Sequence, residues 1–459
     1  SCAQSCCDIF SASTGMTHDL IIIGAGPGGY ETAMAAASAG NKVALIERDR
    51  LGGTCLNRGC IPTKALCRSA EMAVSMREAG DFGIGLSTSE INIDYRAIAG
   101  RKDAVVAQLR EGVAELLKGV EVISGEARFV STCGVEVNGD IHTAPRIIIA
   151  TGSRPALLPI PGAELAMTSD DFLALETLPN SVAIIGAGVI GLEFASILNA
   201  FGVDVTVIEY CKEILPPFDA EVAKRLRMSL KCRGINILTD TQVTEVSPGM
   251  TVKCLAKGKE KTVEAEAVLM AVGRRPVIPD GLVELGVKLN RGAVVVNDSM
   301  EVEWESGNDP EGGTIYAIGD VNGRCMLAHA ASAQGEIVLG HKRNLDVIPS
   351  AVFTMPECAM VGLTEEQCKA QGLDFCINKS TFRANGKAVA MGETDGMVKI
   401  ISETSTGRLL GCHICGPHAA DLVTEAALAM SSSLTVEAIA GTIHAHPTLS
   451  ETVRNALMY

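Results

Sequence analysis

Aromatic side chains are scarce in this sequence: one Trp, five Tyr and ten Phe make up 3% of its 459 residues. Aliphatic side chains must therefore fill the interior, as in parallel strands that are buried on both faces. Positive charge is not in excess either. The formal net charge of −15 at pH 7 argues against a nucleic-acid partner or an anionic membrane surface. No apolar run reaches the roughly 18 residues of a membrane span, and no secretory signal is evident, so we expect a cytoplasmic protein.

Cysteine, in contrast, is abundant, with 16 residues. In a reducing compartment such a number does not indicate a disulfide framework, and most of these thiols are expected to be small core residues. Cys2, Cys6 and Cys7 lie in an irregular leader, residues 1–15, that precedes Met16. We assign this leader no function.

A glycine-rich turn follows the first apolar strand. The strand is expected at 20–23 and an Ala-rich helix at 30–39, with Gly24, Gly26 and Gly29 between them. The next strand, at 42–46, leads into Glu47. In this context the glycines predict a dinucleotide site: a tight turn, close backbone approach to a pyrophosphate, and an acid for the ribose hydroxyls. The alternative is a plain strand-turn-helix.

The same pattern occurs a second time. Gly186, Gly188 and Gly191 separate a strand at 182–185 from a helix at 192–201, and the strand at 205–208 leads into Glu209. The two repeats predict two bound dinucleotides. A negative charge at Glu209 would lie where a 2′-phosphate binds, and no Arg follows closely, so NAD is expected rather than NADP. The alternative is an acid that makes no choice between nucleotides.

Two cysteines, Cys55 and Cys60, lie five residues apart shortly after the first repeat. In a regular helix this spacing holds the Cα atoms about 8 Å apart, which is too far for a disulfide. The neighbouring residues Gly52, Gly53, Gly59 and Pro62 permit a distorted first turn that could bridge them. A strained bridge would be easily reduced, as a catalytic disulfide requires. Two buried thiols remain the alternative.

This motif, with the two repeats, resembles the class I flavoprotein disulfide reductases over residues 16–459. The resemblance implies an FAD-linked redox disulfide between Cys55 and Cys60, with Cys55 exchanging with the substrate and Cys60 nearer the flavin. Among family members the pattern is most similar to those that oxidise protein-bound dihydrolipoamide with NAD⁺. It also implies a homodimer whose partner is a lipoyl domain of a 2-oxoacid dehydrogenase complex or of the glycine cleavage system.

The resemblance assigns further positions to the cofactors. Besides the first glycine repeat and Glu47, those matching FAD contacts are Gly53, Thr54, Lys64, Gly125, Thr151, Gly152, Ser153, Asp320, Met326, Leu327, Ala328 and His329. Besides the second repeat and Glu209, those matching NAD contacts are Glu193, Val243 and Gly273. Lys64 and Glu193 match an ion pair beside the flavin, although an ordinary helix-helix salt bridge is the alternative. Asp320 is expected at the end of a strand from 314, and a helix is expected to start around 326–329. Another strand is expected at 120–129.

A second motif lies near the C-terminus. His446 is followed by Pro447 and, five residues on, by Glu451. An imidazole exchanges protons near neutral pH, and a carboxylate on its other nitrogen would raise its basicity. A lone His before Pro is usually an ordinary residue, but a disulfide reductase needs a base near its thiols. We therefore predict that His446 is that base.

Cys412 and Cys415 have the spacing of a redox or zinc site. They lie in an apolar strand, where residues three apart face opposite sides of the sheet. No second Cys pair accompanies them, so we predict neither a redox role nor a metal site.

The predicted fold is α/β, with two Rossmann-like domains and a C-terminal α+β dimerisation domain. The expected bounds are 16–152 for the FAD domain with the disulfide, 153–276 for the NAD domain, 277–348 for a central domain that completes the FAD site, and 349–459 for the interface domain. A polar insertion at 298–313 has no assigned role. The competing functions are another disulfide reductase of the family and a non-catalytic flavoprotein subunit of a multienzyme complex.

Overall fold

The computed structural model describes residues 18–85, 91–305 and 312–458. The leader at 1–15 and part of the polar insertion, 306–311, lie outside the described residues. The α-helices are α1 (Pro27–Ser38), α2 (Gly53–Arg58), α3 (Cys60–Arg77), α4 (Tyr95–Leu116), α5 (Ser169–Leu173), α6 (Val189–Ala200), α7 (Ala220–Cys232), α8 (Ala328–Val338), α9 (Glu365–Ala370), α10 (Gly386–Met391), α11 (Ala419–Ser431), α12 (Val436–Ala440) and α13 (Glu451–Met458).

The strands are β1 (Leu20–Ile23), β2 (Val43–Glu47), β3 (Glu121–Ser124), β4 (Arg128–Ser131), β5 (Gly134–Val137), β6 (Asp140–Thr143), β7 (Arg146–Ile149), β8 (Ser153–Pro155), β9 (Ser181–Ile185), β10 (Asp204–Ile208), β11 (Asn236–Leu238), β12 (Thr241–Ser247), β13 (Thr251–Ala256), β14 (Lys259–Glu264), β15 (Ala267–Met270), β16 (Arg274–Pro276), β17 (Leu289–Asn290), β18 (Ala293–Val294), β19 (Thr314–Ala317), β20 (Ser350–Val352), β21 (Glu357–Gly362), β22 (Phe375–Thr381), β23 (Met397–Glu403) and β24 (Leu409–Gly416).

The chain forms two compact units. The first comprises the described residues of Ser1–Pro62, Arg101–Pro155 and Arg274–Leu345. Its main sheet is parallel, in the order β19-β7-β1-β2-β3. All four residues of β1 are buried, because α-helical crossovers cover both faces of such a sheet. The antiparallel sheet β4-β5-β6 and the two-stranded pairs β8-β16 and β17-β18 complete this unit.

The second unit comprises Thr63–Gly100, Ala156–Gly273 and Asp346–Tyr459, within the described residues. It holds a parallel sheet in the order β11-β10-β9-β15, the antiparallel sheet β12-β13-β14, and the five-stranded antiparallel sheet β20-β21-β24-β23-β22. The parallel sheet repeats the strand-helix-strand pattern of the first unit, since β9, α6 and β10 correspond to β1, α1 and β2. The α/β class and the two Rossmann-like repeats are confirmed.

Several predicted elements differ from those observed. The strand expected at 120–129 is two strands, β3 and β4, because Gly125 turns the chain with φ +154°. Asp320, which was expected at the end of a strand, lies after that strand. β19 ends at Ala317, and Asp320 lies in a 3₁₀ turn at Gly319–Asn322, since Gly319 takes φ +73° and ends the extended run. Three helices, α11, α12 and α13, follow β24 in the described part of the chain.

No helix in the described ranges is long and apolar enough to cross a membrane.

Candidate active site

Cys55 and Cys60 belong to different helices. Cys55 lies in α2, and Cys60 is the first residue of α3. Gly59 breaks the helix between them, with φ −146° and ψ −112°. A Cβ at this position would lie 3.0 Å from the carbonyl oxygen of Thr54, so a side chain would force the two segments apart. Both cysteines are partly exposed. The break supplies the irregular geometry that the neighbouring glycines predict.

The start of α2 is fixed against the first glycine turn. Gly52 and Gly53 have φ of +95° and +56°, in the left-handed region that favours glycine. The amide of Gly52 donates to the carbonyl of Ala25 at 2.8 Å. A Cβ at Gly53 would lie 2.6 Å from the Cα of Gly26. The cysteine-bearing segment therefore directly contacts the turn that is predicted to hold a pyrophosphate.

The glycines of the first turn have distinct roles. A Cβ at Gly24 would lie 2.3 Å from the carbonyl oxygen of Ala150, and one at Gly29 would lie 1.8 Å from the carbonyl oxygen of Gly24. At Gly26 a Cβ would meet nothing within 4 Å, so this glycine borders open space. The Glu47 carboxylate accepts from the amide of Ala25 at 2.7 Å. Burial raises the pKa of Glu47, although the Ala25 amide opposes the shift.

The second turn repeats this geometry. Cβ atoms at Gly186 and Gly191 would lie 2.4 Å and 2.1 Å from backbone carbonyl oxygens, whereas Gly188 borders open space. The carboxylate of Glu209 accepts from the amide of Ala187 at 2.6 Å and from that of Cys211 at 2.8 Å. Each acid thus fixes its own turn and still has acceptor sites for ribose hydroxyls, since a carboxylate offers about four lone-pair sites. Both turns fit the diphosphate and ribose of a dinucleotide.

Lys64 and Glu193 form an ion pair in the second unit. The ammonium donates to the two carboxylate oxygens at 2.9 and 2.8 Å. Glu193 has a side chain 4% exposed and also accepts from the amide of Phe353 at 3.0 Å. The Lys64 ammonium lies 4.5 Å from the centroid of the Phe353 ring. Phe353 was missed in the sequence, because an isolated aromatic residue carries no motif. Glu193 therefore holds the ammonium group of Lys64 in a fixed position.

Asp320 forms a cluster with Ser153 and Arg274 in the first unit. The Ser153 hydroxyl donates to the Asp320 carboxylate. Arg274 donates to the Ser153 hydroxyl at 2.7 Å and lies 3.9 Å from Asp320. Arg274 carries no motif of its own in the sequence, although it directly follows the predicted NAD residue Gly273. The arginine supplies a counter-charge for the acid that is predicted to contact FAD.

Other predicted FAD positions lie close to Ser153 or Asp320 in the sequence. Thr151 donates to the carbonyl of Val277 at 2.5 Å, and Gly152 has φ +69°. Met326 is exposed, and the helix α8 begins at Ala328 after Leu327, with no side-chain cap on its first amides. Such amides can receive a developing negative charge. The second residue of this helix is His329.

His446 and Glu451 are paired as predicted. The Nδ1 atom of His446 lies 3.0 and 3.3 Å from the two oxygens of Glu451. The Thr448 amide donates to Glu451 at 2.9 Å, and this bond, followed by the contact with His446, lowers the pKa of the carboxyl. Asn385, which is buried, donates to the Thr448 carbonyl at 2.9 Å and braces the loop. The imidazole is 79% exposed, and its Nε2 atom has no partner within the described ranges.

The remaining predicted residues have simple environments. Val243 lies in β12 and is buried, and Gly273, with φ +109°, borders open space. Cys412 and Cys415 lie in β24 and pack in different hydrophobic clusters, on opposite faces of the sheet. Burial raises the pKa of Cys412 to about 12. These two thiols therefore lie on opposite faces of the sheet, and burial disfavours the thiolate of Cys412.

Comparisons with known proteins agree with this geometry. The family model described as pyridine nucleotide-disulphide oxidoreductase matches residues 18–335, and its dimerisation domain matches residues 348–457. The chain belongs to this family of oxidoreductases. Curated relatives include dihydrolipoyl dehydrogenases of Bacillus subtilis, 40% identical over 96% of this chain and 97% of the relative, and of Chlamydia pneumoniae, 41% identical over 94% and 95%.

Among solved structures, the chain is similar to the HOCl-induced flavoprotein disulfide reductase RclA from Escherichia coli in its Cu(II) complex. The TM-score is 0.84 with 28% identity, over 96% of this chain and 99% of the other. The cofactors of this class are FAD and NAD(H). The residues present fit them, because both turns combine a crowded pair of glycines, one glycine that borders open space, and an acid, which is buried at Glu209 and partly buried at Glu47.

Proposed function

We propose that this protein oxidises protein-bound dihydrolipoamide to lipoamide, with FAD as its bound cofactor and NAD⁺ as the final acceptor. One observation carries the proposal. Two cysteines flank the break at Gly59, on a segment whose Gly53 packs against Gly26 of the first dinucleotide turn. The relatives at about 40% identity over nearly the full chain support the substrate, because they are dihydrolipoyl dehydrogenases.

In the proposed reaction the oxidised enzyme has a Cys55–Cys60 disulfide. His446 takes the proton of one substrate thiol through Nε2, while Glu451 holds Nδ1 and stabilises the imidazolium. The substrate thiolate attacks the Cys55 sulfur, the disulfide breaks, and Cys60 leaves as a thiolate. The second substrate thiol then attacks the substrate sulfur of the mixed disulfide, which releases lipoamide. Cys55 leaves as a thiol, because its sulfur receives the proton that the second substrate thiol loses. Two electrons now reside on the two cysteines.

Lys64 and Glu193 are proposed to serve the reduced flavin. Glu193 holds the ammonium of Lys64 through two hydrogen bonds. A fixed ammonium would stabilise negative charge on reduced FAD. Bound FAD supplies the electron acceptor that reoxidises the dithiol. Ser153, Asp320 and the first turn would hold it.

Glu209 should select the nicotinamide nucleotide. Its carboxylate is fixed beside the open glycine Gly188 by the amides of Ala187 and Cys211. It can accept hydrogen bonds from ribose hydroxyls, whereas it would repel a 2′-phosphate. The second turn would therefore bind NAD in preference to NADP.

The active protein is proposed to be a homodimer. Residues 348–457 match a dimerisation domain, and this region exposes apolar side chains, with Ile443 96% and Leu428 66% exposed. Such side chains favour association with a second copy. The substrate arm would be the lipoyl domain of a 2-oxoacid dehydrogenase complex or of the glycine cleavage system. We place this activity in the cytoplasm, in keeping with the many thiols.

A reduced lipoylated domain, mixed with the FAD-loaded protein and NAD⁺, should yield one NADH for each dithiol oxidised. The matched control is Cys55→Ser, which should give no NADH because the disulfide cannot form. Absence of NADH with the wild-type protein, or equal NADH with Cys55→Ser, would contradict the proposal.

A further inference from the structure

A pocket of the first unit concentrates positive charge. Its volume is about 930 Å³, and five arginines line it: Arg154, Arg274, Arg275, Arg291 and Arg324. No acidic residue is among its lining residues. The chain as a whole carries a net charge of −15, so this concentration runs against its overall composition. The volume lies within the range of small-molecule sites.

Two of these arginines face each other. Arg154 in β8 and Arg275 in β16 are directly opposite in the antiparallel pair. Like charges at such positions are destabilising. Neither guanidinium has a hydrogen bond or an ion pair with any residue that the structure describes. A bound anion between them would turn this repulsion into attraction.

Arg291 also lines the pocket, and its backbone conformation is unusual for arginine. It occupies the first position of the two-residue turn between β17 and β18, with φ +50°, and Gly292 follows with φ +82°. Positive φ at both positions defines a turn that favours Asn, Asp or Gly. Arginine there is disfavoured locally, and its side chain has no partner in the described part of the chain. Such exceptions to local preference occur at functional positions.

The other two arginines are partly neutralised. Arg274 belongs to the Ser153–Asp320 cluster. Arg324 donates to the Val296 carbonyl at 2.6 Å and lies 3.5 Å from the exposed Asp298. The unmatched charge of the pocket therefore comes from Arg154, Arg275 and Arg291.

We propose that this pocket binds a small anion that carries two or more phosphate or carboxylate groups. The planar guanidinium matches both groups with paired hydrogen bonds. Three unpaired guanidiniums exceed what a single monoanion would neutralise. Arg154, Arg275 and Arg291 are not among the residues assigned to FAD or NAD, whereas Arg274 and Met326, which also line the pocket, belong to the predicted FAD region. The anion site therefore adjoins that region, and the three unpaired arginines distinguish it from the FAD site.

The test is calorimetric titration of the FAD-loaded protein with inorganic pyrophosphate and, separately, with citrate. We expect one anion per chain, with an affinity that falls as KCl is added. The probe that binds with the higher affinity shows whether the site prefers phosphate groups or carboxylate groups. Arg275→Gln and Arg291→Asn should each weaken binding by at least about tenfold, because each removes a charged hydrogen-bonding partner.

Stability separates a ligand site from a structural one. Without anion, both variants should unfold at the wild-type temperature or above it, because one removes a like-charge pair and the other suits the turn better. Arg128→Gln, in the same unit but outside the pocket, should bind the anion as the wild type does. Three results would overturn the proposal: no binding of either probe, unchanged affinity in both pocket variants, or displacement of the anion by saturating NAD⁺.

Discussion

Replacement of His446 by glutamine separates its chemical role from its structural one. The imidazole is 79% exposed, and among the described residues its hydrogen-bonding partner is Glu451, whose two oxygens lie 3.0 and 3.3 Å from Nδ1. Glutamine can still donate to Glu451, but it cannot take a proton from a thiol. A surface change of this kind should alter the free energy of unfolding by less than about 0.5 kcal/mol. Loss of a general base should lower dihydrolipoamide turnover by roughly 10² to 10⁴, equivalent to about 3 to 5 kcal/mol of transition-state stabilisation.

The assay compares two half-reactions of the same variant. Dihydrolipoamide oxidation should fall, whereas reduction of the bound flavin by NADH should keep its wild-type rate, because no substrate thiol is deprotonated there. His444→Gln is the matched control. His444 also pairs with a glutamate, Glu425, at 2.8 Å, but its imidazole is only 6% exposed, so it cannot reach a substrate. Unchanged turnover in His446→Gln, or an equal loss in His444→Gln, would refute the role of His446.

Three further predictions concern nucleotide choice, the two sulfurs and acid stability. Glu209→Ala should lower kcat/KM for NAD⁺ and raise it for NADP⁺; a wild-type preference for NADP⁺ would contradict the role of this carboxylate. Cys55→Ser and Cys60→Ser should both abolish lipoamide turnover, and the remaining Cys55 should be alkylated faster than the remaining Cys60; the opposite order would reverse their roles. Hydrogen bonds from Lys369 and then Lys399 lower the pKa of Glu365 to about 2. The stability that Glu365 adds is therefore present above its ordinary pKa, about 4.3, and is lost as pH falls toward 2. In urea unfolding, the difference between wild type and Glu365→Gln should shrink from pH 7 to pH 3, and a constant difference would contradict this.

The parts of the fold that follow local rules could be predicted. The turns at Gly24 and Gly186 were identifiable because each needs glycine for a contact that no side chain permits, and each acid follows at the same distance. The pairing of His446 with Glu451 was identifiable because both lie within one short loop. The opposite orientation of Cys412 and Cys415 followed from the two-residue period of a strand.

Contacts between distant segments could not be read from the sequence. Phe353 contacts Glu193 through its backbone amide, a group that every non-proline residue carries. Arg274 reaches Ser153 only because β16 pairs with β8. Asn385 supports the His446 loop through a hydrogen bond to Thr448, which lies 63 residues later in the sequence. The position of Asp320 in a 3₁₀ turn depended on the backbone of Gly319, which the sequence pattern does not specify.

The central claim is that this protein transfers electrons from a dihydrolipoyl group to NAD⁺. It is tested most directly by two rates measured on one preparation of the FAD-loaded protein: dihydrolipoamide with NAD⁺, and glutathione disulfide with NADPH. The account predicts rapid NADH formation in the first assay and no detectable NADPH oxidation in the second, because Glu209 opposes the 2′-phosphate. Turnover confined to the second assay would contradict it.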